Sequence, residues 1–247
     1  MNNERRNFLG MLGLGALFMA GCNSISDPGS YTMVNNQPPA PKPTPETPEI
    51  AEDYPVTPYK PLDWSKLEAP TPAVPGGIAV LDSALPRSTW ADAAPITDRL
   101  RPMQTPWRET LHHSGVFCDT TNRQEIIEIL RGFRRHHLAA FHAGDIGYHY
   151  IIDRTGTLWI GRELKYQGAH VKDHNEGNIG VMVMGDFEQQ DPTRAQIEKV
   201  QAVMPALMKR YNIVMPHVYT HRELMPTLCP GRSLQADFNG MRKRNFA

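Results

Sequence analysis

The sequence lacks net charge, because its 26 lysine and arginine residues balance its 26 aspartate and glutamate residues. A neutral chain has no strong field that attracts a polyanion, which argues against a nucleic-acid partner. A long hydrophobic run is also missing at the N-terminus. The apolar stretch from Phe8 to Ala20 is shorter than the roughly 20 residues of a transmembrane helix. Cysteine is scarce, at three residues, so the position of each one needs a reason.

The first 21 residues have the order of an export signal, with a pair of arginines before the apolar stretch. Residues 19–22 read Met-Ala-Gly-Cys, which resembles the lipobox of bacterial lipoproteins. That resemblance implies that Cys22 is lipidated, becomes the mature N-terminus and anchors the protein to a membrane. Ordinary cleavage after residue 20 or 21 is the alternative. Ser24, in place of the aspartate that retains some lipoproteins at the inner membrane, favours the outer membrane and the periplasm.

Residues 22–75 are rich in proline and poor in large apolar side chains. Such a segment cannot bury enough apolar surface to fold alone, so we expect a disordered linker. Proline favours extended geometry, and fifty residues at about 3 Å each would reach on the order of 150 Å. We therefore expect a lipid-anchored tether followed by a folded domain over residues 76–247. A spacer without any length requirement is the alternative.

Strand patterns occur four times in the folded part. "RETLHHS" predicts a short strand that ends at residues 112–114, and residues 146–163 predict a hairpin around residues 154–156. "NIGVMVMGDF" is a nearly continuous apolar run, typical of a strand that is covered on both faces. "HVYTH" predicts a last short strand that ends at His221.

Helical patterns separate these strands. One helix is predicted from about Asn122 to Ala140, with a capping box of Thr121 and Gln124. A second is predicted to start at Asp191 and Pro192, and Pro205 is expected to kink or interrupt it. The alternation predicts an α/β domain that has a single mixed central β-sheet with helices packed on both faces. We expect the domain to be monomeric.

Histidine and cysteine side chains near the strand ends could hold a zinc ion; these are His112, His113, His217, His221 and Cys229. Successive strand residues point to opposite faces, so His112 and His113 cannot easily bind the same ion. On a strand, His217 and His221 would be roughly 13 Å apart, whereas a zinc–nitrogen bond is about 2 Å. At most one histidine from each strand would therefore join Cys229.

A set of short motifs occurs in a consistent order from about Pro86 to Gly231. The motifs are "PRSTWADA", His112-His113-Ser114, Gly147-Tyr148-His149, Gly161-Arg162, Gly168-Ala169-His170, Ile179-Gly180-Val181, Gly185-Asp186-Phe187 and His221-Arg222 followed by Cys229-Pro230-Gly231. This ordered set resembles the peptidoglycan recognition protein and type-2 N-acetylmuramoyl-L-alanine amidase family. The resemblance implies a zinc cofactor and a peptidoglycan or muropeptide substrate.

The same resemblance implies a role for six residues. The zinc ligands would be His112, His221 and Cys229. Tyr148 matches the catalytic tyrosine, and Thr227 lies where the animal enzymes have threonine; both would hydrogen-bond the developing oxyanion or position the water. His170 recurs in a family motif and would contact the substrate. Apart from the resemblance, we expect His137 to line the cleft and to contact the substrate as well.

The implied reaction is hydrolysis of the amide between the lactyl group of N-acetylmuramic acid and L-alanine of the stem peptide. No carboxylate stands out as a general base, and Glu223 is more plausible as a supporting residue. Cys118 is expected to be a free thiol, because the other two cysteines have other uses. The alternatives are a peptidoglycan-binding lipoprotein without activity and a structural lipoprotein that tethers the envelope to the wall.

Overall fold

The structure is a computed structural model that describes residues 77–246. The predicted export signal (1–21), which precedes Cys22, and the predicted linker (22–75) lie outside the described residues. Among residues 77–246, no helix combines the length and the apolar character that a membrane span requires.

In the described part of the chain, five strands form one mixed sheet: β1 (Arg108–His113), β2 (Tyr150–Ile152), β3 (Leu158–Ile160), β4 (Asn178–Val183) and β5 (Val218–Thr220). Their order is β3-β2-β4-β1-β5. All neighbouring pairs are parallel except β2 and β3, which form the predicted antiparallel hairpin. The carboxyl ends of β1 and β4 therefore lie at the same edge of the sheet.

Helices pack on both faces of the sheet, as predicted. The helices are α1 (Ala79–Asp82), α2 (Arg123–Ala140), α3 (Arg194–Tyr211), α4 (His221–Leu224) and α5 (Arg232–Lys243). Ile126 and Leu130 of α2 join Met182 of β4 in one core, while α1, α3 and α5 contribute to a second core with Val181 and Val183. Strand β4 is buried on both faces, which explains its nearly continuous apolar sequence.

Both predicted helix caps were wrong, by one residue for α2 and by two residues for α3. The side chain of Asn122, rather than Thr121, caps α2 by accepting hydrogen bonds from the main-chain N–H groups of Gln124 and Glu125. Thr193, rather than Asp191, caps α3 and forms a capping box with Gln196. In each case the cap is the residue whose short polar side chain reaches the second or third free N–H of the helix.

Helix α3 continues through Pro205, so the expected interruption of the helix at this proline is wrong. Val203, Met204 and Leu207 around the proline are buried in the core. Since burying such a side chain contributes about 1.5–3 kcal/mol, this packing offsets the hydrogen bond that proline cannot donate.

The last predicted strand is shorter than expected. Strand β5 covers only Val218–Thr220, His217 ends a 3₁₀ turn before it, and His221 is the first residue of α4. The main-chain N–H of Thr220 donates to the carboxylate of Glu223 at 2.7 Å, which is half of a capping box. This local box starts a helical turn and so changes the direction of the His221 side chain.

Candidate metal centre

The two adjacent histidines of β1 serve different faces, as strand alternation predicts. His112 is fully buried and its ring lies 4.7 Å from the ring of His221. His113 packs against Phe187 on the other face, where its Nδ1 accepts the main-chain N–H of that residue at 3.2 Å. His112 is therefore the one that meets the other metal candidates.

His112, His221 and Cys229 bring one ligand atom each to within 4.8 Å of one another. The Sγ of Cys229 lies 3.6 Å from Nδ1 of His112. Bonds of about 2.3 Å to sulfur and about 2.0 Å to nitrogen at a tetrahedral angle give a ligand separation of roughly 3.5 Å, close to the observed distance. The Nε2 atom of His221 is buried and has no hydrogen-bond partner among residues 77–246. An unsatisfied buried nitrogen beside a sulfur and a second imidazole fits a zinc ion.

The electrostatics of this cluster also suit a metal. Burial, followed by three neighbouring imidazoles, holds the pKa of His112 well below its ordinary value. Burial lowers the pKa of His221 to about 4. Both rings are therefore neutral near pH 7 and have a nitrogen lone pair to offer, as metal ligation requires.

The surroundings of Cys229 favour the protonated form of its thiol. Burial raises its pKa to about 12, against the opposing effects of a hydrogen bond from the main chain of His113 and of the Arg222 charge. The His113 N–H donates to Sγ at 3.3 Å. The free thiol is thus protonated at neutral pH, and metal binding would release that proton.

The turn that carries Cys229 depends on a glycine. Gly231 adopts φ +87°, and a Cβ at this position would lie 2.5 Å from the main-chain carbon of Phe187. Its N–H donates to the carbonyl of Leu228 at 2.7 Å, which closes the turn around Cys229. The Cys-Pro-Gly sequence therefore serves the geometry of the thiol, because only glycine combines this φ with this close approach.

Tyr148 and Thr227 border the same cluster. The ring of Tyr148 is 5.2 Å from that of His112, and burial, with a further contribution from Cys229, raises the pKa of its hydroxyl. Thr227 accepts the main-chain N–H of Cys229 at its hydroxyl oxygen, at 3.2 Å. Their roles in a reaction remain predictions, but both positions are compatible with them.

The two histidines predicted to contact substrate occupy different settings. His137, in the last turn of α2, lies 5.7 Å from the Tyr148 ring and accepts the main-chain N–H of Gly147 at Nδ1. His170 is 93% buried, and its two ring nitrogens lie 3.0 Å from Nε2 of His112 and 3.1 Å from the carbonyl oxygen of Asn178. Substrate contact stays a prediction for both residues.

Sequence reasoning missed the residues that hold the segment between His221 and Cys229. The main-chain N–H of Arg222 donates to the carbonyl of Cys229 at 3.0 Å. Its guanidinium contacts the carbonyl of Leu228 and pairs with Glu188, which also binds Arg232 at 2.7 Å. Glu188 follows Gly185-Asp186-Phe187 directly, yet no spacing in the sequence indicates its partners.

Cys118 lies outside the metal cluster. It is a buried free thiol, and its main-chain N–H and carbonyl both pair with the side chain of Gln190. Cys22 lies outside the described residues, so its lipidation remains a prediction.

Comparison with known proteins places these features in a family. A family model described as N-acetylmuramoyl-L-alanine amidase matches residues 104–232, which is just over half of the chain. The human N-acetylmuramoyl-L-alanine amidase is 31% identical over 153 residues, or 60% of this chain and 26% of the human protein. The match thus spans about a quarter of that relative.

Two insect proteins are similar over most of their own length. Peptidoglycan-recognition protein SD of Drosophila simulans is 28% identical over 155 residues, which cover 61% of this chain and 81% of that protein. A solved structure of a Drosophila PGRP-LB variant in complex with tracheal cytotoxin has the same fold, with a TM-score of 0.57 and 24% identity over 63% of this chain and 92% of the other. From its matched region, its sheet and these relatives, the chain belongs to the N-acetylmuramoyl-L-alanine amidase family, which it shares with the peptidoglycan recognition proteins.

Proposed function

We propose that this protein is a zinc-dependent amidase that cleaves the bond between N-acetylmuramic acid and L-alanine of the stem peptide. The observation that carries this proposal is the convergence of His112, His221 and Cys229 within 4.8 Å at one edge of the sheet. Three protein ligands that leave a fourth position open are typical of catalytic rather than structural zinc. Membership of the amidase family supports the reaction class.

The protein's own part in this chemistry is to stabilise negative charge on the amide oxygen. When bound, zinc supplies Lewis acidity and lowers the pKa of water toward neutrality. Tyr148 suits the role of hydrogen-bond donor, because its raised pKa keeps the hydroxyl protonated. The Thr227 hydroxyl accepts one N–H and keeps its own proton for a second donation.

His137 provides a further donor beside Tyr148. Its Nδ1 accepts the Gly147 N–H at 2.8 Å, and burial lowers its pKa to about 4. The neutral ring must then carry its proton on Nε2. That N–H supports the proposed role of His137 in binding a carbonyl or hydroxyl oxygen of the substrate.

Glu223 does not take the place of a general base in this proposal. Its carboxylate accepts the Thr220 N–H and pairs with Arg242 at 3.0 Å. These contacts stabilise the turn that presents His221. A bound zinc ion would reduce the need for a carboxylate base at this site.

The proposed substrate class is peptidoglycan or a soluble muropeptide. Tracheal cytotoxin, which the Drosophila relative binds, is a monomeric diaminopimelic acid-type peptidoglycan. We also propose that lipidation of Cys22 anchors the protein to the periplasmic side of the cell envelope, and that the proline-rich linker carries a monomeric catalytic domain to the wall. Metabolic labelling with a palmitate analogue, with Cys22→Ser as the control, tests the anchor.

The test of the function is the release of new amino termini from purified peptidoglycan. Zinc-loaded protein should expose N-terminal L-alanine, and mass spectrometry of defined muropeptides should show separate glycan and peptide products. Cys229→Ala should abolish both signals, while Cys118→Ala, which removes the other buried thiol, should retain them. The comparison of intact wall with anhydro-muropeptides identifies the preferred form.

A binding protein without activity is the second candidate, since solved structures named as recognition proteins and others named as amidases share this fold. It predicts that folded, zinc-loaded protein sediments with peptidoglycan but releases no new amino termini. That result would overturn the proposed hydrolysis.

A further inference from the structure

The two ring nitrogens of His112 face different partners. Its Nδ1 lies 3.6 Å from Sγ of Cys229, and its Nε2 lies 3.0 Å from Nδ1 of His170. A neutral imidazole carries one proton, so only one of its nitrogens has a lone pair for a metal. If His170 accepts a proton from Nε2 of His112, then Nδ1 of His112 keeps a lone pair for a metal.

The contact between His170 and Asn178 fixes the direction of the hydrogen bonds. Nε2 of His170 lies 3.1 Å from the carbonyl oxygen of Asn178, which can only accept. In a neutral His170 the proton is then on Nε2, and Nδ1 accepts the proton that His112 carries on Nε2. His112 is left with an unprotonated Nδ1 that faces Cys229.

The surroundings hold the His170 ring in this position. Its imidazole fills a cleft between two glycines: a Cβ on Gly168 would lie 2.5 Å from the ring, and a Cβ on Gly180 would lie 2.6 Å from it. The main-chain N–H of His170 donates to the side chain of Asn175 at 2.8 Å. Space and hydrogen bonds thus leave this ring little freedom to turn.

Asn178, whose main-chain carbonyl accepts the His170 hydrogen bond, is also held in place. The Asn178 side chain accepts the Thr110 hydroxyl at 2.9 Å and donates to the carbonyl of His174 at 2.8 Å. Asn178 is the first residue of β4 and pairs with β1, the strand that carries His112. The acceptor of the His170 hydrogen bond thus lies on the strand that pairs with the strand of His112.

We propose that His170 is a positioning residue that holds His112 in the Nε2-protonated tautomer, so that Nδ1 is available to the metal. This inference rests on the proposed function only in taking His112 as a metal ligand. It assigns to His170 a task that needs no contact with substrate. Hydrogen-bond partners of metal-bound histidines typically change metal affinity by about 10–100-fold.

The test compares His170→Ala with His170→Asn by measuring zinc affinity in competition with a chromophoric chelator, without substrate. The alanine variant should bind zinc about 10–100-fold more weakly. Asparagine places an amide oxygen near the position of Nδ1 and should restore most of the affinity. His136→Ala, which removes an exposed histidine of α2, is the control and should bind zinc like the parent protein.

Three outcomes overturn the proposal. Zinc affinity within twofold of the parent in His170→Ala, together with a raised KM, would make His170 a substrate contact. An equal loss in the alanine and asparagine variants would assign the effect to packing. Nitrogen chemical shifts of the unsubstituted protein that place the His112 proton on Nδ1 would contradict the proposal even if a variant does not fold.

The measurements also separate this inference from the proposed function. A parent protein that binds zinc through His112 but releases no amino termini would refute the amidase and leave the role of His170 intact. Hydrolysis by the parent protein, together with unchanged zinc affinity in His170→Ala, would support the amidase and refute the role of His170.

Discussion

The Sγ atom of Cys229 lies 3.6 Å from Nδ1 of His112, although 117 positions separate the two residues along the chain. One residue lies near the end of a central strand and the other in a glycine-dependent turn that packs against Phe187. Neither residue marks a metal site by itself, so zinc binding should depend on their proximity.

Replacing Cys229 with alanine should weaken zinc binding more than about 100-fold, beyond the range usual for partners of ligands. Hydrolysis of peptidoglycan should fall to background for the same reason. Metal content after dialysis and the release of L-alanine amino termini measure the two effects. Cys118→Ala is the matched control, and full activity of a folded, metal-free Cys229→Ala protein would refute the zinc mechanism.

Replacing Tyr148 with phenylalanine should lower kcat by about 100-fold or more, the usual cost of losing one donor to an oxyanion. Zinc affinity should not change, since the hydroxyl is not among the ligands. Steady-state kinetics on a defined muropeptide give kcat and KM separately. Tyr211→Phe removes a hydroxyl from a residue of α3 that packs against the core, and this control should have no effect. A change confined to KM in Tyr148→Phe would instead make Tyr148 a binding residue.

Replacing Glu109 with methionine should stabilise the protein at neutral pH. Glu109 is fully buried on β1, and burial raises its pKa well above the ordinary value. Within the described part of the chain, neither of its carboxyl oxygens has a hydrogen-bond partner. An unsatisfied buried polar group costs about 1–3 kcal/mol. In a domain of this size, Tm should rise on the order of 5 °C.

The effect of Glu109 on stability should depend on pH in a defined direction. Its pKa is higher in the folded than in the unfolded state, so the folded protein binds the proton more tightly. Its contribution to stability is complete below the unfolded pKa and decreases as the pH rises from there toward the folded pKa. The difference in Tm between Glu109→Met and the parent should therefore grow as the pH rises above about 4.5. A variant less stable than the parent at pH 7 would show that the carboxylate has a partner in solution.

Replacing Asp145 with alanine should cost about 3–5 kcal/mol of stability, because it leaves buried guanidinium charge without its partner. Asp145 is fully buried and pairs with Arg87 at 2.7 Å and Arg134 at 2.8 Å. Chemical denaturation measures the loss. Glu198→Ala breaks the exposed pair with Arg194 and should change stability by less than about 1 kcal/mol; equal effects in the two variants would contradict the importance of burial.

Much of the sheet was predictable because its patterns are local. The hairpin at residues 154–156, the apolar strand β4 and the alternation of His112 and His113 each follow from side-chain periodicity. Helix α5 was not predicted, although Leu234, Phe238 and Met241 are spaced as a buried helical face. Its apolar positions are few, and most of its other residues are polar.

The helix caps show where local patterns stop being decisive. Thr121 and Asp191 have suitable side chains, but Asn122 and Thr193 form the caps. Several polar residues compete at each helix start, and the packing of the helix against the sheet selects the first turn. The direction of His221 has the same origin, because β5 ends one residue earlier than its sequence pattern suggests.

The sequence by itself determined the residue types of the site, the order of its motifs and the family to which the chain belongs. The family motif already implied His112 rather than His113 as a ligand, whereas only the tertiary structure decided that His170 is bound to His112 and that Glu223 is held by Thr220 and Arg242. The physical reason is that each of these contacts joins residues on different elements. Their distances depend on how β1, β4 and the turn at Gly231 pack together, which no spacing along the chain specifies.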